Sequence, residues 1–390
     1  MKTFGRLKWQ TKISFRCCWD SALSDNVAYF SSFPVSGYGS SIHALDAKTG
    51  KEKWRFDDNC KLASGLSKFT ISNNMLCLRN ENDMLRALDL KMGKEKWNFQ
   101  TVKYENNSFC SPTIADDIVY CEDIDNLYAI NADTGREKWR FRLLWPQLPE
   151  DLSIGYSIVN GNVYFINPAD DDICVLNKET GYVKMRFKNN HGEVRGRFEI
   201  VHDTLYVNFS TSNNKGICAL DIKTGEEKWR WTCAKAIFTL GKVIINNTVL
   251  VFDHSEDGEI YSLDAKTGSE RWKLARTPGP LVINNGVLCL VDKIGRIYTL
   301  DGETGKEKWR SEIKGFGGYG TIIINYDTIY GLNPIRKSIC ALHIEDGKEM
   351  GEFGIEGYDQ SGYVVLFYVA DSVLYFVNNM PDVSFIYALE

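Results

Sequence analysis

The sequence of 390 residues lacks the features of several common protein classes. Lysine and arginine number 46 against 51 aspartates and glutamates, so there is no basic excess of the kind that binds nucleic acid or anionic membranes. No run of about 18 uncharged apolar residues occurs, and we therefore expect no membrane-spanning helix. Residues 1–6 show no apolar segment of a signal peptide. We expect a cytoplasmic protein that is a monomer.

Motifs of catalysis and metal binding are also missing. The 11 cysteines are odd in number and include no C-x-x-C pair, and the five histidines do not cluster. The sequence contains no nucleophile elbow G-x-S-x-G, no phosphate-binding loop and no dinucleotide fingerprint. It therefore predicts no catalytic residue, no metal site and no cofactor.

What the sequence does contain is one unit that repeats along its whole length. Eight turns have a glycine in the same place, and in six of them a tryptophan follows four residues later, as in Ala44–Trp54, A-L-D-A-K-T-G-K-E-K-W. With a ninth copy divided between the two ends of the chain, the units average about 43 residues. The positions equivalent to the tryptophan are residues 9, 54, 97, 139, 185, 229, 272, 309 and 351.

Each unit predicts four short antiparallel strands, separated by turns of asparagine, aspartate and glycine that tolerate positive φ. At the ends of the chain, residues 386–390 are typical of a strand before a turn and residues 5–9 of the strand after it. Four-stranded units that repeat and close through the two termini indicate an all-β fold, the β-propeller. We predict a single domain over residues 1–390 with nine blades; the alternative is eight blades with one unit displaced from the ring.

The motif A-L-D-x-x-T-G-x-x-x-W resembles the PQQ-like propeller repeat of quinoprotein dehydrogenases and of a non-enzymatic lipoprotein of the β-barrel assembly machinery. The resemblance covers the whole chain and implies that the tryptophan of each repeat docks between neighbouring blades. Met185 and Gly351 interrupt the pattern, so we expect weaker or different packing there. The tryptophans to which the resemblance gives this role are Trp9, Trp54, Trp97, Trp139, Trp229, Trp272 and Trp309.

Loop lengths differ between the two faces of the predicted ring. The turns of the lower face, between strands one and two and between strands three and four, are short and uniform, whereas the insertions fall on the upper face. Loop variation on one face of a repeat protein commonly marks a binding face. Trp145 is either an exposed anchor or an apolar cap, and Arg195 and Arg197 either hold an anionic group or pair with nearby glutamates. The candidate binding residues are Tyr38, Trp145, Arg195, Arg197, Phe316 and Tyr319.

The cysteines allow two interpretations. Some quinoprotein dehydrogenases carry a vicinal disulfide beside their cofactor, so the resemblance suggests a redox role for the adjacent Cys17 and Cys18. Six other cysteines occupy recurring strand positions, which favours small buried core residues and a reducing compartment. These six are Cys77, Cys121, Cys174, Cys218, Cys289 and Cys340.

Three functional hypotheses follow. The first is a non-enzymatic scaffold that binds a protein or peptide partner through its upper face. The second is a small-molecule or quinone-binding redox protein that uses the central channel. The third is a carbohydrate-binding lectin with one site per blade.

Overall fold

The computed structural model describes residues 5–14, 16–34, 39–60, 69–102, 111–143, 155–188, 193–194, 198–211, 214–233, 240–245, 247–253, 259–275, 281–284, 286–292, 294–316, 322–356, 358, 363–370, 373–380 and 383–390. The regular elements in these ranges are β-strands, β1 to β37 in chain order. Over the same ranges, the structure contains no helix that is long and apolar enough to cross a membrane.

The strands form nine antiparallel sheets, which we number as blades in chain order. Each blade has four strands that lie side by side in the order first to fourth, and blade 5 has the short β18 beside its second strand. The fourth strand of blade 9 is β1. The strands are, in blade 1, β2 (Arg16–Ser24), β3 (Val27–Phe33), β4 (Ser40–Asp46) and β5 (Glu52–Asp58); in blade 2, β6 (Thr70–Ser72), β7 (Met75–Arg79), β8 (Met84–Asp89) and β9 (Glu95–Gln100); in blade 3, β10 (Thr113–Ala115), β11 (Ile118–Glu122), β12 (Asn126–Asn131) and β13 (Glu137–Arg142); in blade 4, β14 (Tyr156–Val159), β15 (Asn162–Ile166), β16 (Ile173–Asn177) and β17 (Val183–Phe187); in blade 5, β18 (Glu193–Val194), β19 (Glu199–Val201), β20 (Thr204–Ser210), β21 (Lys215–Asp221) and β22 (Glu227–Cys233); in blade 6, β23 (Leu240–Ile245), β24 (Thr248–Asp253), β25 (Glu259–Asp264) and β26 (Glu270–Ala275); in blade 7, β27 (Leu281–Asn284), β28 (Val287–Val291), β29 (Ile297–Asp301) and β30 (Glu307–Arg310); in blade 8, β31 (Ile322–Asn325), β32 (Thr328–Asn333), β33 (Ser338–His343) and β34 (Glu349–Gly354); and in blade 9, β35 (Tyr363–Ala370), β36 (Val373–Asn379), β37 (Ser384–Leu389) and β1 (Leu7–Ile13).

The four strands of a blade differ in burial, and the sequence pattern explains the difference. Several second strands, such as β7 and β11, are buried at every residue, because neighbouring blades cover both of their faces. Fourth strands alternate, so that Trp54 in β5 is buried while Lys53 and Arg55 on either side are exposed. First strands such as β6 and β10 are half-buried along their length. These differences in burial are typical of a propeller blade, in which the first strand lines the central channel and the fourth strand lies at the rim.

The ring closes through the two ends of the chain. First strands of several neighbouring blades contact each other, for example β6 with β10, and the contact between β35 and β2 joins blade 9 to blade 1. In blade 9, β1 pairs with β37 so that Trp9 lies opposite Ala388. Arg6 and Glu390 exchange backbone hydrogen bonds of 2.9 and 3.0 Å. The nine-bladed prediction is therefore confirmed, and the eight-bladed alternative is wrong.

The turn between the third and fourth strands has the geometry that its residues predict. In blade 1, Asp46 Oδ1 accepts hydrogen bonds from the backbone N–H groups of Lys48 and Thr49, at 3.1 and 2.9 Å. Gly50 closes the turn with a φ of 69°, in the left-handed region that glycine adopts without strain. This short turn recurs around the lower face and keeps that face uniform.

Candidate functional site

Seven tryptophans join successive blades by the same pair of contacts. Trp9 Nε1 donates a hydrogen bond of 2.9 Å to the carbonyl of Ala47 in the next blade. Its ring lies on Gly50, where a Cβ would come within 2.5 Å of the indole, so a larger residue would clash as well as strain the backbone. The other six indoles donate to the equivalent carbonyl of the next blade at 2.6 to 3.2 Å, Trp54 to Leu90, Trp97 to Ala132, Trp139 to Lys178, Trp229 to Ala265, Trp272 to Gly302 and Trp309 to Ile344.

The joint between blades 4 and 5 is packed differently, as the departure at Met185 predicts. Met185 is 36% exposed, and the ring that contacts the turn glycine comes from Phe187 instead. A Cβ at Gly225 would lie 2.2 Å from that ring. At the other departure, Gly351 is buried and brings no side chain to the joint between blades 8 and 9.

Of the predicted upper-face residues, only Phe316 lies in the described part of the structure. Phe316 does not lie on the surface as predicted, because its side chain is only 2% exposed and packs in the core between blades 7 and 8. The physical reason is the glycine at position 331, where a Cβ would lie 2.8 Å from the Phe316 ring; without a side chain there, β32 leaves room for the ring. Phe316 is therefore not available to a partner. The other candidates, Tyr38, Trp145, Arg195, Arg197 and Tyr319, lie outside the described residues.

The same region of the upper face exposes two isoleucines that the sequence analysis did not single out. Ile294, in the turn after β28, is 52% exposed, and Ile335, in the turn after β32, is 76% exposed. Two glycines connect them: a Cβ at Gly295 would lie 2.9 Å from Gly315 Cα, and a Cβ at Gly315 would lie 2.6 Å from Ile335 Cδ1. We call these four residues, Ile294, Gly295, Gly315 and Ile335, the blade 7–8 patch.

Hydrogen bonds fix the turns that carry the patch. Asp292 Oδ1 accepts from the backbone N–H groups of Ile294 and Arg296, at 3.1 and 2.9 Å. Asp292 Oδ2 lies 2.8 Å from both Arg296 Nε and Arg310 Nη1. Burial opposes ionisation of Asp292, but these backbone and guanidinium hydrogen bonds outweigh it and lower the pKa of the carboxyl. The turn is therefore anchored by a charged cap.

The loop between blades 7 and 8 is held from both sides. Phe316 N donates to Gly295 O at 2.9 Å. In blade 8, Asn333 Nδ2 donates to Lys314 O at 2.8 Å, and Asn333 Oδ1 accepts from Arg336 N at 3.1 Å. The two isoleucines thus project from turns that are tied to each other, which places two aliphatic side chains in a defined arrangement.

Charges around the upper face are divided by region. In the described residues of the blade 7 and 8 loops, Lys314, Lys337 and Glu312 are exposed. Arg296 pairs with Asp292, and Arg336 pairs with Glu349 and Glu352. The corresponding turns of blades 2 to 4 are acidic, with Glu81, Asp83, Asp123, Asp125 and Asp170 to Asp172. The two exposed lysines beside the exposed isoleucines are complementary to a surface that combines carboxylates with apolar side chains.

The acidic turns of blades 2 and 3 use their charge internally. Arg79 Nη2 lies 2.9 Å from Asp83 Oδ1, and both side chains are fully buried. The same guanidinium donates to Glu122 O in blade 3 at 2.6 Å. Asp123 Oδ2 accepts from Tyr128 Oη at 2.6 Å and from Val102 N at 2.8 Å. This network connects neighbouring blades and presents little of its charge to solvent.

A serine, a histidine and a glutamate are aligned in blade 1. His43 Nε2 lies 2.8 Å from Ser32 Oγ, and His43 Nδ1 lies 2.9 Å from Glu52 Oε2. This order of groups is that of a hydrolytic triad, but Ser32 is fully buried and cannot meet a substrate. Burial lowers the pKa of His43, against the opposing influence of Glu52. We assign these three residues a structural role.

The recurring cysteines are core residues, as predicted. Cys77, Cys121 and Cys289 are buried free thiols on second strands, and the three on third strands are buried likewise. Burial raises the pKa of Cys77 and of Cys289 to about 12, so neither forms a thiolate near neutral pH. The side chains of Cys17 and Cys18 lie outside the described part of the structure.

Within the described parts of the chain, one group of potential metal ligands is present, in blade 8. Single ligand atoms of Cys340, Glu349 and Glu352 lie within 4.8 Å of one another. Arg336 Nη1 already contacts both carboxylates, at 2.9 Å from Glu349 and 3.2 Å from Glu352. Burial raises the pKa of the Cys340 thiol to about 11. Because the Arg336 guanidinium already pairs with both carboxylates and the thiol stays protonated, we interpret the cluster as an ion-pair network.

Solved structures with a similar fold include BamB, a quinohemoprotein alcohol dehydrogenase and a designed protein. BamB from Moraxella catarrhalis is 16% identical, with a TM-score of 0.55 over 90% of this chain and 99% of that one. Quinohemoprotein alcohol dehydrogenase from Comamonas testosteroni is 14% identical, with a TM-score of 0.55 over 98% of this chain and 76% of that one. The computationally designed Ika8 protein is 15% identical, with a TM-score of 0.54 over 84% of this chain and 98% of that one. These likenesses show the fold.

Sequence comparison identifies the family. No curated protein matches the sequence. The family model described as outer membrane protein assembly factor BamB matches residues 2–143, 111–239 and 231–358, which together span most of the chain. The chain therefore belongs to this BamB-like family of PQQ-like β-propellers.

Proposed function

We propose that the chain is a non-enzymatic scaffold that binds a partner protein through the upper face of blades 7 and 8. The observation that carries the proposal is the blade 7–8 patch, where Ile294 and Ile335 are exposed on turns fixed by hydrogen bonds. Exposed aliphatic side chains in a defined arrangement, with a polar rim, are typical of an interaction site. The BamB-like family assignment is compatible with a scaffold role.

The partner has an apolar contact surface flanked by carboxylates. Lys314 and Lys337 lie beside the patch and are exposed, so they favour an acidic rim on the partner. The net charge of the whole chain is −5, so this cationic region is a local feature. We place the interaction in the cytoplasm, since the buried free thiols are typical of a reducing compartment.

Affinity capture from extract of the native cell tests the proposal. The wild-type protein and the double variant Ile294→Asp/Ile335→Asp serve as baits, and the matched control is Tyr326→Asp, which replaces an 82%-exposed aromatic on the lower face. We expect the double variant to lose its principal partner by about tenfold or more, while the control retains it. Equal capture by all three baits, or equal loss from both variants, would contradict the proposal.

The quinone-binding alternative has its own readout. A channel that binds pyrroloquinoline quinone with calcium would change the absorbance of the quinone and raise the unfolding temperature of the protein. The scaffold proposal expects neither change. A saturable shift that the Ile294→Asp/Ile335→Asp variant also shows would place function in the channel instead.

A further inference from the structure

The outer strand of blade 4, β17, differs from the outer strands of the other blades. In those blades the two residues after the turn glycine are mostly a charged pair, and the second is always glutamate where the turn is internal to the chain. In blade 4 the two residues are Tyr182 and Val183, and Met185 stands in place of tryptophan. The pairs elsewhere are Lys51-Glu52, Lys94-Glu95, Arg136-Glu137, Glu226-Glu227, Ser269-Glu270, Lys306-Glu307 and Lys348-Glu349.

The three replacements are exposed together on one edge. Tyr182 is 77% exposed, Val183 is 46% exposed, and Met185 is released from the joint with blade 5 because Phe187 packs there. The strand β17 is the last in its sheet, so its outer row of backbone N–H and C=O groups has no strand beside it among the described residues. Proteins usually protect such an edge with charged residues. In blade 4 the glutamate that follows the other internal turns is absent, and apolar side chains stand in this part of the edge.

The charges that remain on this edge have one sign. Residues 182–188 contain Lys184, Arg186 and Lys188 and no carboxylate. Lys184 Nζ donates to the neutral amide of Asn162 at 2.7 Å, and Arg186 Nη1 lies 2.8 Å from Asp170 in a pair that is about two-fifths exposed. Two copies joined edge to edge would bring six cations together, which disfavours a homodimer through β17. An edge of this charge is complementary to an acidic strand.

We propose that β17 is a second interaction site, which accepts an extended segment of another protein as a fifth strand of blade 4. The segment carries apolar residues that cover Tyr182, Val183 and Met185, and acidic residues that pair with Lys184 and Lys188. The backbone edge supplies the hydrogen bonds of strand addition, and the side chains select the sequence. The site lies on the rim of blade 4, so it is distinct from the blade 7–8 patch.

A defined peptide tests the proposal in solution. The probe is a fluorescein-labelled peptide of nine residues in which valine and aspartate alternate, and its counterpart replaces each aspartate with lysine. We expect the acidic peptide to raise fluorescence polarisation with an affinity at least about tenfold higher than that of the basic peptide. Hydrogen–deuterium exchange should slow at residues 183–188 when the acidic peptide binds. Equal affinity of the two peptides, or protection located elsewhere, would overturn the proposal.

Substitutions at equivalent positions of blade 4 and blade 2 test whether the peptide binds specifically to the edge of blade 4. Tyr182→Lys/Val183→Glu gives blade 4 the pair found in four other blades, and it should weaken binding of the acidic peptide by about tenfold. Lys94→Ser/Glu95→Ser, at the equivalent positions of blade 2, should leave it unchanged, as should Ile294→Asp/Ile335→Asp. Undiminished binding to the blade 4 variant would overturn the proposal. So would self-association of the wild-type protein, measured by sedimentation, that the blade 4 variant abolishes.

Discussion

In the upper turns of blades 2 and 3, charged side chains lie inside the molecule, whereas in those of blades 7 and 8, aliphatic side chains lie outside. Both regions use the same framework, a residue after the second strand whose side-chain oxygen caps the turn. In blade 2, Asn80 Oδ1 accepts from Asn82 N and Met84 N at 3.0 and 3.2 Å. In blade 7, Asp292 does the same for Ile294 and Arg296.

The difference indicates which region contributes to stability and which region offers a surface for binding. Buried charges are costly unless paired, as Arg79 and Asp83 are within blade 2. Arg79 also donates to the carbonyl of Glu122 in blade 3, which connects the two blades. Exposed isoleucines contribute little to stability, so Ile294 and Ile335 can change without loss of the fold. Substitution of Arg79 should therefore lower the stability of the protein, whereas substitution of the two isoleucines should leave stability nearly unchanged and weaken partner binding.

The largest effect is expected from Arg79→Met in blade 2. It leaves the Asp83 carboxylate buried without its cation, which should lower the free energy of unfolding by about 3–5 kcal/mol. The matched control is Arg336→Met in blade 8, whose ion pairs are partly exposed and whose loss should cost less than about 1 kcal/mol. Urea denaturation of both variants measures the difference. Similar costs at the two sites would contradict the assignment of stability to blades 2 and 3.

A smaller effect should come from Gly295→Ala in the patch. A Cβ at Gly295 would lie 2.6 Å from the Phe316 carbonyl oxygen, whereas at Gly286 in the same blade it would meet nothing within 4 Å. The two glycines have φ values of 77° and 79°, so both variants carry the same backbone strain. We expect Gly295→Ala to destabilise the protein by about 1–3 kcal/mol more than Gly286→Ala does. Equal thermal stability of the two variants would show that the loops of blades 7 and 8 are not tightly joined.

The smallest effect is expected from Asp292→Asn. The amide keeps the turn cap, as Asn80 does in blade 2, but loses the ionic contacts to Arg296 and Arg310 and should cost about 1 kcal/mol at neutral pH. The pKa of Asp292 is lowered in the folded protein, so its contribution is fully present above the ordinary value of 3.8 and disappears as the pH falls below it. The gap in stability between wild type and variant should therefore close in denaturation curves measured below about pH 4. A gap that stays constant with pH would mean that the charge of Asp292 does not contribute.

The architecture could be predicted from the sequence because its determinants are local and repeated. The turn aspartate, the left-handed glycine and the tryptophan each occur at a fixed spacing, and the closing strand at Trp9 falls in the same register as the internal ones. Counting that register was sufficient to find nine blades. The buried cysteines followed from the same reasoning, because they share strand positions with other core residues.

The site could not be predicted in the same way, because exposure depends on contacts between turns. Ile294 and Ile124 both lie in turns after a second strand, yet only Ile294 is strongly exposed. Phe316 looks like a surface anchor beside several glycines, and only the space left by Gly331 on the neighbouring blade explains its burial. The sequence does place an isoleucine in a basic turn of each of two adjacent blades. That pattern alone does not indicate a shared surface, because the contact through Gly315 that connects the two turns is visible only in the structure.

The most direct test of the central claim is hydrogen–deuterium exchange on the purified protein with and without the partner recovered by affinity capture. We expect the partner to slow exchange in the turns at residues 294–296 and 334–337. We expect no change in the lower-face turn at residues 325–327 or in the blade 2 turn at residues 80–84. Protection confined to either of those two turns, with residues 294–296 and 334–337 unaffected, would contradict the central claim.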